Sequence, residues 1–98
     1  MIVMTFKEAL SVVQSSERLI GTKFDGETID EILVVPTEKS MHDEFFRNYS
    51  YTLDAKASIL PFVNCDLEVV ALFRKNYIRQ EGVIITTNVS RIIESIQN

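Results

Sequence analysis

The sequence predicts an α+β fold: one small domain with a mostly antiparallel sheet of four or five strands packed against about three helices. Three observations predict it. The chain has 98 residues, 46% of them hydrophobic and 24% charged, which supplies one apolar core but not two. Helix-like and strand-like apolar patterns follow one another in the order helix, hairpin, helix, strand, short helix, two strands, helix. No linker, repeat or low-complexity tract divides residues 1–98, so they read as a single domain. A small three-layer α/β arrangement is the alternative, because helices intervene between several strands. The chain is short for it, since each parallel crossover consumes a dozen or more residues.

The elements follow in order. Thr5 and Glu8 stand three residues apart and form a reciprocal capping box, which starts a helix over Thr5–Leu19. Phe6, Ala9, Leu10, Val13 and Ile20 recur along it at helical spacing, and Gly21 stops it. Thr22–Phe24 reads as a short strand, with Asp25-Gly26 as a tight hairpin turn. The return strand, Ile29–Val35, ends in four consecutive apolar residues, as expected of a strand covered on both faces. Pro36 has no amide proton and is expected to end its ladder.

Thr37 to Asn48 reads as a second helix, with Thr37 or Ser40 as cap and Met41, Phe45 and Tyr49 sharing one face. Tyr49, Tyr51 and Leu53 then alternate with Ser50 and Thr52, which predicts a half-buried strand. Asp54 is positioned to cap a short helix over Ala55–Leu60 that Pro61 terminates, and Asn64–Asp66 form a turn. Leu67–Phe73 is a dense apolar strand that can extend to Ile78. Arg79-Gln80-Glu81-Gly82 then turns into a strand over Val83–Thr86; the alternative is a loose loop over Arg74–Gln80. Asn88 or Ser90 caps a last helix carrying Val89, Ile92, Ile93 and Ile96 on one side.

Charge separates along the chain. The formal net charge is -4. Between Asp25 and Glu44 lie Asp25, Glu27, Asp30, Glu31, Glu38, Asp43 and Glu44 against Lys39 alone. That segment is a solvated acidic face or a docking surface for a basic protein. The count of clustered cations is too low for a general duplex-binding surface, which needs several phosphate contacts. One cysteine, Cys65, cannot form an internal disulfide, and one cysteine with one histidine, His42, gives no basis for a metal or cofactor set. The first residues lack the basic start and long apolar run of a signal peptide, and no run approaches a membrane span. A cytoplasmic setting is therefore expected.

Candidate sites are few. His42 adjoins Asp43 and Glu44, but neighbours in a helix do not face one another, and Glu38 at i-4 is its better partner. Cys65 lacks a nearby histidine in sequence and reads as a small core residue. Asp54 and Lys56 offer half of a metal-dependent nuclease site, with Asp43 or Asp30 as the other carboxylate. Pro36-Thr37-Glu38-Lys39-Ser40 joins a strand to a helix but lacks the glycines of a phosphate cradle. Arg74, Lys75, Tyr77 and Arg79 form a basic and aromatic cluster. It suits an edge strand guarded by charge, a protein contact, or weak stacking on nucleic acid. Phe45, Phe46 and Tyr49 are dense for one helix, and adjacent Phe45 and Phe46 cannot share a direction, so one belongs at the core margin or in an interface.

These readings favour a protein-interaction or assembly module whose partner is another protein or a second copy. The alternative is a weak nucleic-acid or nucleotide-binding module using 74–79; nucleic acid is disfavoured by the charge count. A second alternative is a small hydrolase or nuclease around Asp54 and Lys56. The sequence assembles no catalytic set, so binding is favoured over catalysis.

Overall fold

Among the described residues, four helices and four strands follow in the order α1 (Phe6–Ser16), β1 (Lys23–Phe24), β2 (Glu27–Pro36), α2 (His42–Thr52), α3 (Ala55–Ile59), β3 (Leu67–Phe73), β4 (Thr86–Asn88) and α4 (Val89–Gln97). This is a computed structural model describing residues 4–52, 54–74 and 86–97, with the backbone alone at 55 and 56. The strands lie in the order β1-β2-β3-β4, and every neighbouring pair is antiparallel. The fold is therefore α+β, and the parallel alternative does not apply.

Local signals set the element ends. The Thr5 hydroxyl accepts from the Glu8 amide, and the Glu8 carboxylate accepts from the Thr5 amide, so the capping box is present. α1 is shorter than the pattern predicts. It ends at Ser16, and a 3₁₀ turn over Glu17–Leu19 follows. That change of pitch buries Leu19 and leaves Ile20 exposed, reversing the expected place of Ile20 on the core face. Asp25 and Gly26 both have positive φ, 51° and 78°. That is the backbone of a two-residue hairpin turn, and it brings Phe24 opposite Glu27. At the other end of the chain the Asn88 side chain accepts from the Ser90 amide at 2.8 Å, so Asn88 is the cap of α4. α4 turns Val89 and Ile92 inward and half-buries Ile93, but Ile96 is exposed.

β2 and β3 form the centre. Ile32–Val35 and Val69–Phe73 are buried at every position. Successive side chains on a strand point to opposite faces, so unbroken burial requires cover on both sides of the sheet. Helix α1 packs across β2 and β3, α2 and α3 pack on β2, and α4 packs on β3 and β4. Two segments share the second edge of β3. β4 pairs with Val70–Leu72, and Met4 bridges Leu67.

The β2–β3 register runs from Ile29 opposite Phe73 to Pro36 opposite Leu67, with one irregularity between Ile29 and Glu31. The Thr37 amide bonds to the Asp66 carbonyl at 2.9 Å. Hydrogen-bonded positions alternate along an antiparallel pair, so Val35, Leu33 and Glu31 direct their main-chain groups toward β3. Pro36, Val34 and Ile32 direct theirs away. Pro36 is the last residue of β2, as expected, although it stays paired opposite Leu67. Its nitrogen lies on the outer side, where β3 requires no donor.

The second helix differs from expectation at both ends. Neither Thr37 nor Ser40 caps it; a 3₁₀ turn over Lys39–Met41 precedes it and α2 opens at His42. The predicted strand over Tyr49–Leu53 is instead the end of α2, which continues to Thr52. Leu53 lies outside the described residues. α3 stops at Ile59, and Pro61 sits in a 3₁₀ turn over Leu60–Phe62. β3 ends at Phe73 and does not continue as a strand at Arg74, which is helical; residues 75–78, the turn at Arg79–Gly82 and the strand residues Val83–Ile85 fall outside the described residues.

The Ser16 hydroxyl is buried without a protein hydrogen-bond partner among the described residues. A buried, unpaired hydroxyl costs on the order of 1–3 kcal/mol. Ser16→Ala should therefore raise the unfolding free energy by about 1 kcal/mol, measured by urea denaturation. An unchanged or lower midpoint would show that the hydroxyl is satisfied in solution.

Candidate functional site

The aromatic residues of α2 divide between core and margin. Phe45 is 0% exposed. Its ring meets Phe46 at 5.1 Å, stacks on Tyr49 at 6.5 Å and meets Phe62 edge-on at 6.2 Å. Full burial of such a side chain stabilises by about 3 kcal/mol. Phe45 is thus a core residue, and a direct role in surface binding is corrected. Phe46 and Tyr49 are half-buried. Phe46 lies edge-on to His42 at 6.2 Å.

Two polar contacts fasten α2 along β2. His42 Nε2 donates to the Pro36 carbonyl at 2.7 Å, the outward-facing acceptor at the end of the strand. Tyr49 Oη donates to Glu31 Oε2 at 2.6 Å. Seven residues along the helix thus correspond to five along the strand, running the opposite way. Glu31 shares a face with Leu33 and Val35, which puts α2 over that face near the outer edge. His42 takes Pro36, not the expected Glu38. Burial, reinforced by the Glu31 bond and charge, pushes the Tyr49 phenol well above its ordinary range.

The remaining candidates separate. Asp54 is exposed, and its carboxylate accepts from the Ala57 amide at 3.4 Å, a cap on α3. The side chain of Lys56 lies outside the described residues. The other carboxylates proposed beside Asp54 are engaged or remote in the fold. Asp30 pairs with Arg74 at 3.3 Å, and Asp43 lies in the first turn of α2. Among the described residues no group of three His, Cys, Asp or Glu side chains is arranged to hold a metal ion. Cys65 is half-buried against the core in the turn before β3. Arg74 remains largely exposed, and its pair with Asp30 is worth at most about 1 kcal/mol. Lys75, Tyr77 and Arg79 lie outside the described residues.

Sequence reading missed one surface. Leu60 and Val63 are 57% and 41% exposed. Positions three apart in a 3₁₀ turn lie above one another, so both project from one side of the turn with exposed Pro61 between them. Phe62 projects inward onto Phe45. Tyr51, 84% exposed, stands near the end of α2, which packs on α3. The apolar run Ile59-Leu60-Pro61-Phe62-Val63 was the available signal. It resembled core because the inward and outward members are both apolar.

Family models, curated proteins and solved structures provide no match to the chain. Among the described residues no helix is long and apolar enough to cross a membrane.

The raised Tyr49 phenol makes a pH prediction. An unfolded tyrosine ionises near about pH 10, whereas folded Tyr49 holds its proton beyond that. Its contribution is present below the unfolded value and declines as pH rises above it, because the unfolded state then loses the proton first. Unfolding free energy should fall above about pH 10, and Tyr49→Phe should flatten that fall while costing about 1 kcal/mol at neutral pH. An alkaline slope identical in the variant would contradict the assignment.

Proposed function

We propose that the chain is a small protein-interaction or assembly module of the cytoplasm, where a lone thiol stays reduced. The observation that carries this reading is the exposed apolar turn formed by Leu60, Pro61 and Val63. A scattered exposed apolar residue is ordinary, but adjacent ones held in a tight turn form a surface whose burial is favourable. Rigid support adds to this, because Phe62 anchors the turn to the Phe45 ring. A preformed surface spends less ordering entropy on association. Half-buried Phe46 and exposed Tyr51 supply further aromatic surface on α2; aromatic residues are enriched at protein contacts.

Site-specific photo-crosslinking in cells tests the reading. A benzophenone amino acid placed at position 63 should give discrete protein adducts. The same probe at exposed Lys7 on α1 should not. No adduct at 63, or equal adducts at both positions, would refute the proposed surface. The mass of the adduct distinguishes a second copy from a different protein.

A further inference from the structure

We propose that Asp25-Gly26 is a modification site. The peptide bond between the two residues rearranges through a cyclic imide to an isoaspartyl linkage while the protein is folded, and the product releases β1 from the sheet. Water is the only co-reactant, and no partner is needed.

The rearrangement needs an aspartyl carboxyl free to reach the next residue's nitrogen, an amide with no competing bond, and room for a ring. The hairpin meets each requirement. Phe24 pairs with Glu27, so Asp25 and Gly26 are the two loop residues and lie outside the ladder. Both are exposed. Among the described residues neither the Gly26 amide nor the Asp25 carboxylate has a hydrogen bond or ion pair. A Cβ placed on Gly26 would meet nothing within 4 Å, so nothing crowds the closing ring. The Asp25 φ of 51° suits the first loop position of both type I′ and type II′ turns. Ring closure keeps that φ and turns the Asp25 ψ, which carries the turn from type I′ toward type II′. The second position then changes the sign of its φ, and glycine accepts either. The other aspartates, Asp30, Asp43, Asp54 and Asp66, precede Glu31, Glu44, Ala55 and Leu67, whose side chains hinder the approach.

The Gly26 nitrogen bonds to Cγ of Asp25, and the carboxyl hydroxyl leaves with the amide proton as water. Water then adds to one of the two ring carbonyls and breaks its bond to nitrogen. Addition at Cγ restores Asp25. Addition at the former main-chain carbonyl leaves Gly26 joined through Cγ, with the main-chain carbon as a free carboxyl. Nothing is oxidised or reduced, and the net change is an isomerisation. The main chain becomes one carbon longer at a turn whose length sets the register of the hairpin. β1 holds only the pairs Lys23 with Thr28 and Phe24 with Glu27, so it has no longer ladder over which to spread the added atom. The bonds from the Ile29 amide to the Thr22 carbonyl and from the Gly21 amide to the Ile29 carbonyl open with it. β2 stays paired with β3, so the change remains local.

Incubation of the full chain in heavy-oxygen water at neutral pH and body temperature, followed by peptide mapping, tests this. Each ring opening writes a heavy oxygen into the residue. Asp25 should take up the label in the folded protein at a rate within about tenfold of that in a synthetic peptide of the hairpin sequence. It should outpace every other aspartate by at least about tenfold, and part of the labelled product should run as a separate isoaspartyl peptide of equal mass. Asp25→Asn, which tolerates the same positive φ, should rearrange faster by losing ammonia in place of water. Asp25→Glu, whose ring would hold one more carbon, should not take up label at position 25. In the isoaspartyl fraction the Gly21 and Ile29 amides should exchange faster than in fresh protein, while Val35 and Val70 are unchanged. Label in the peptide but not in the folded protein, or equal uptake at all aspartates, would overturn the site. Unchanged exchange at Gly21 and Ile29 in the isoaspartyl fraction would overturn the release of β1.

Discussion

The pairing of β2 with β3 is the constraint on which the remaining structure depends. The two strands bury apolar side chains on both faces, so neither can lie at the surface of a two-layer fold. Cover is needed above and below, and the helices supply it. The alternation of hydrogen-bonded positions then settles finer matters. Pro36 falls where its nitrogen faces away from β3, so the ladder continues through Thr37 and Asp66. The same alternation turns the Pro36 carbonyl outward, and His42 takes it. A buried carbonyl at a strand end would otherwise cost on the order of 1–3 kcal/mol.

Helix α2 depends on that strand more than on its own sequence. Its last turn is Asn-Tyr-Ser-Tyr-Thr, in which the aromatic and β-branched residues favour a strand. Tertiary contacts prevail. Phe45 and Tyr49, four residues apart, stack with their planes 9° from parallel, a pairing that helical spacing provides. The Tyr49 hydroxyl then reaches Glu31 on β2. With Phe62 against the same ring, the cluster also fixes the turn after α3. The exposed residues proposed to contact a partner are therefore positioned by the core beneath them.

Much of this was legible because local chemistry decided it. Thr5 with Glu8, Asp25 with Gly26 and Asn88 with the start of α4 each act within three residues, and each occurs as the sequence predicts. Dense apolar runs likewise marked β2 and β3. Strand direction was harder to read, because burial on both faces occurs in parallel sheets and in covered antiparallel ones alike. The contacts that organise the candidate surface were not legible. Tyr49 and Glu31 are 18 positions apart, and Arg74 and Asp30 are 44 apart; no periodicity relates such residues. The acidic segment also changed in meaning. Asp30 and Glu31 are engaged in contacts within the fold, while Glu38, Asp43 and Glu44 remain exposed.

Native-state amide hydrogen exchange tests most directly whether the doubly covered strand pair governs the fold. The amides of Leu33, Val35, Val70 and Leu72 lie between β2 and β3. They should exchange only through global unfolding, with free energies equal to that from denaturant titration. Amides of β1 and of the last turn of α4 should exchange through smaller openings. If the four central amides exchange as fast as those peripheral ones, the pair opens independently of the rest of the molecule, and the account is wrong.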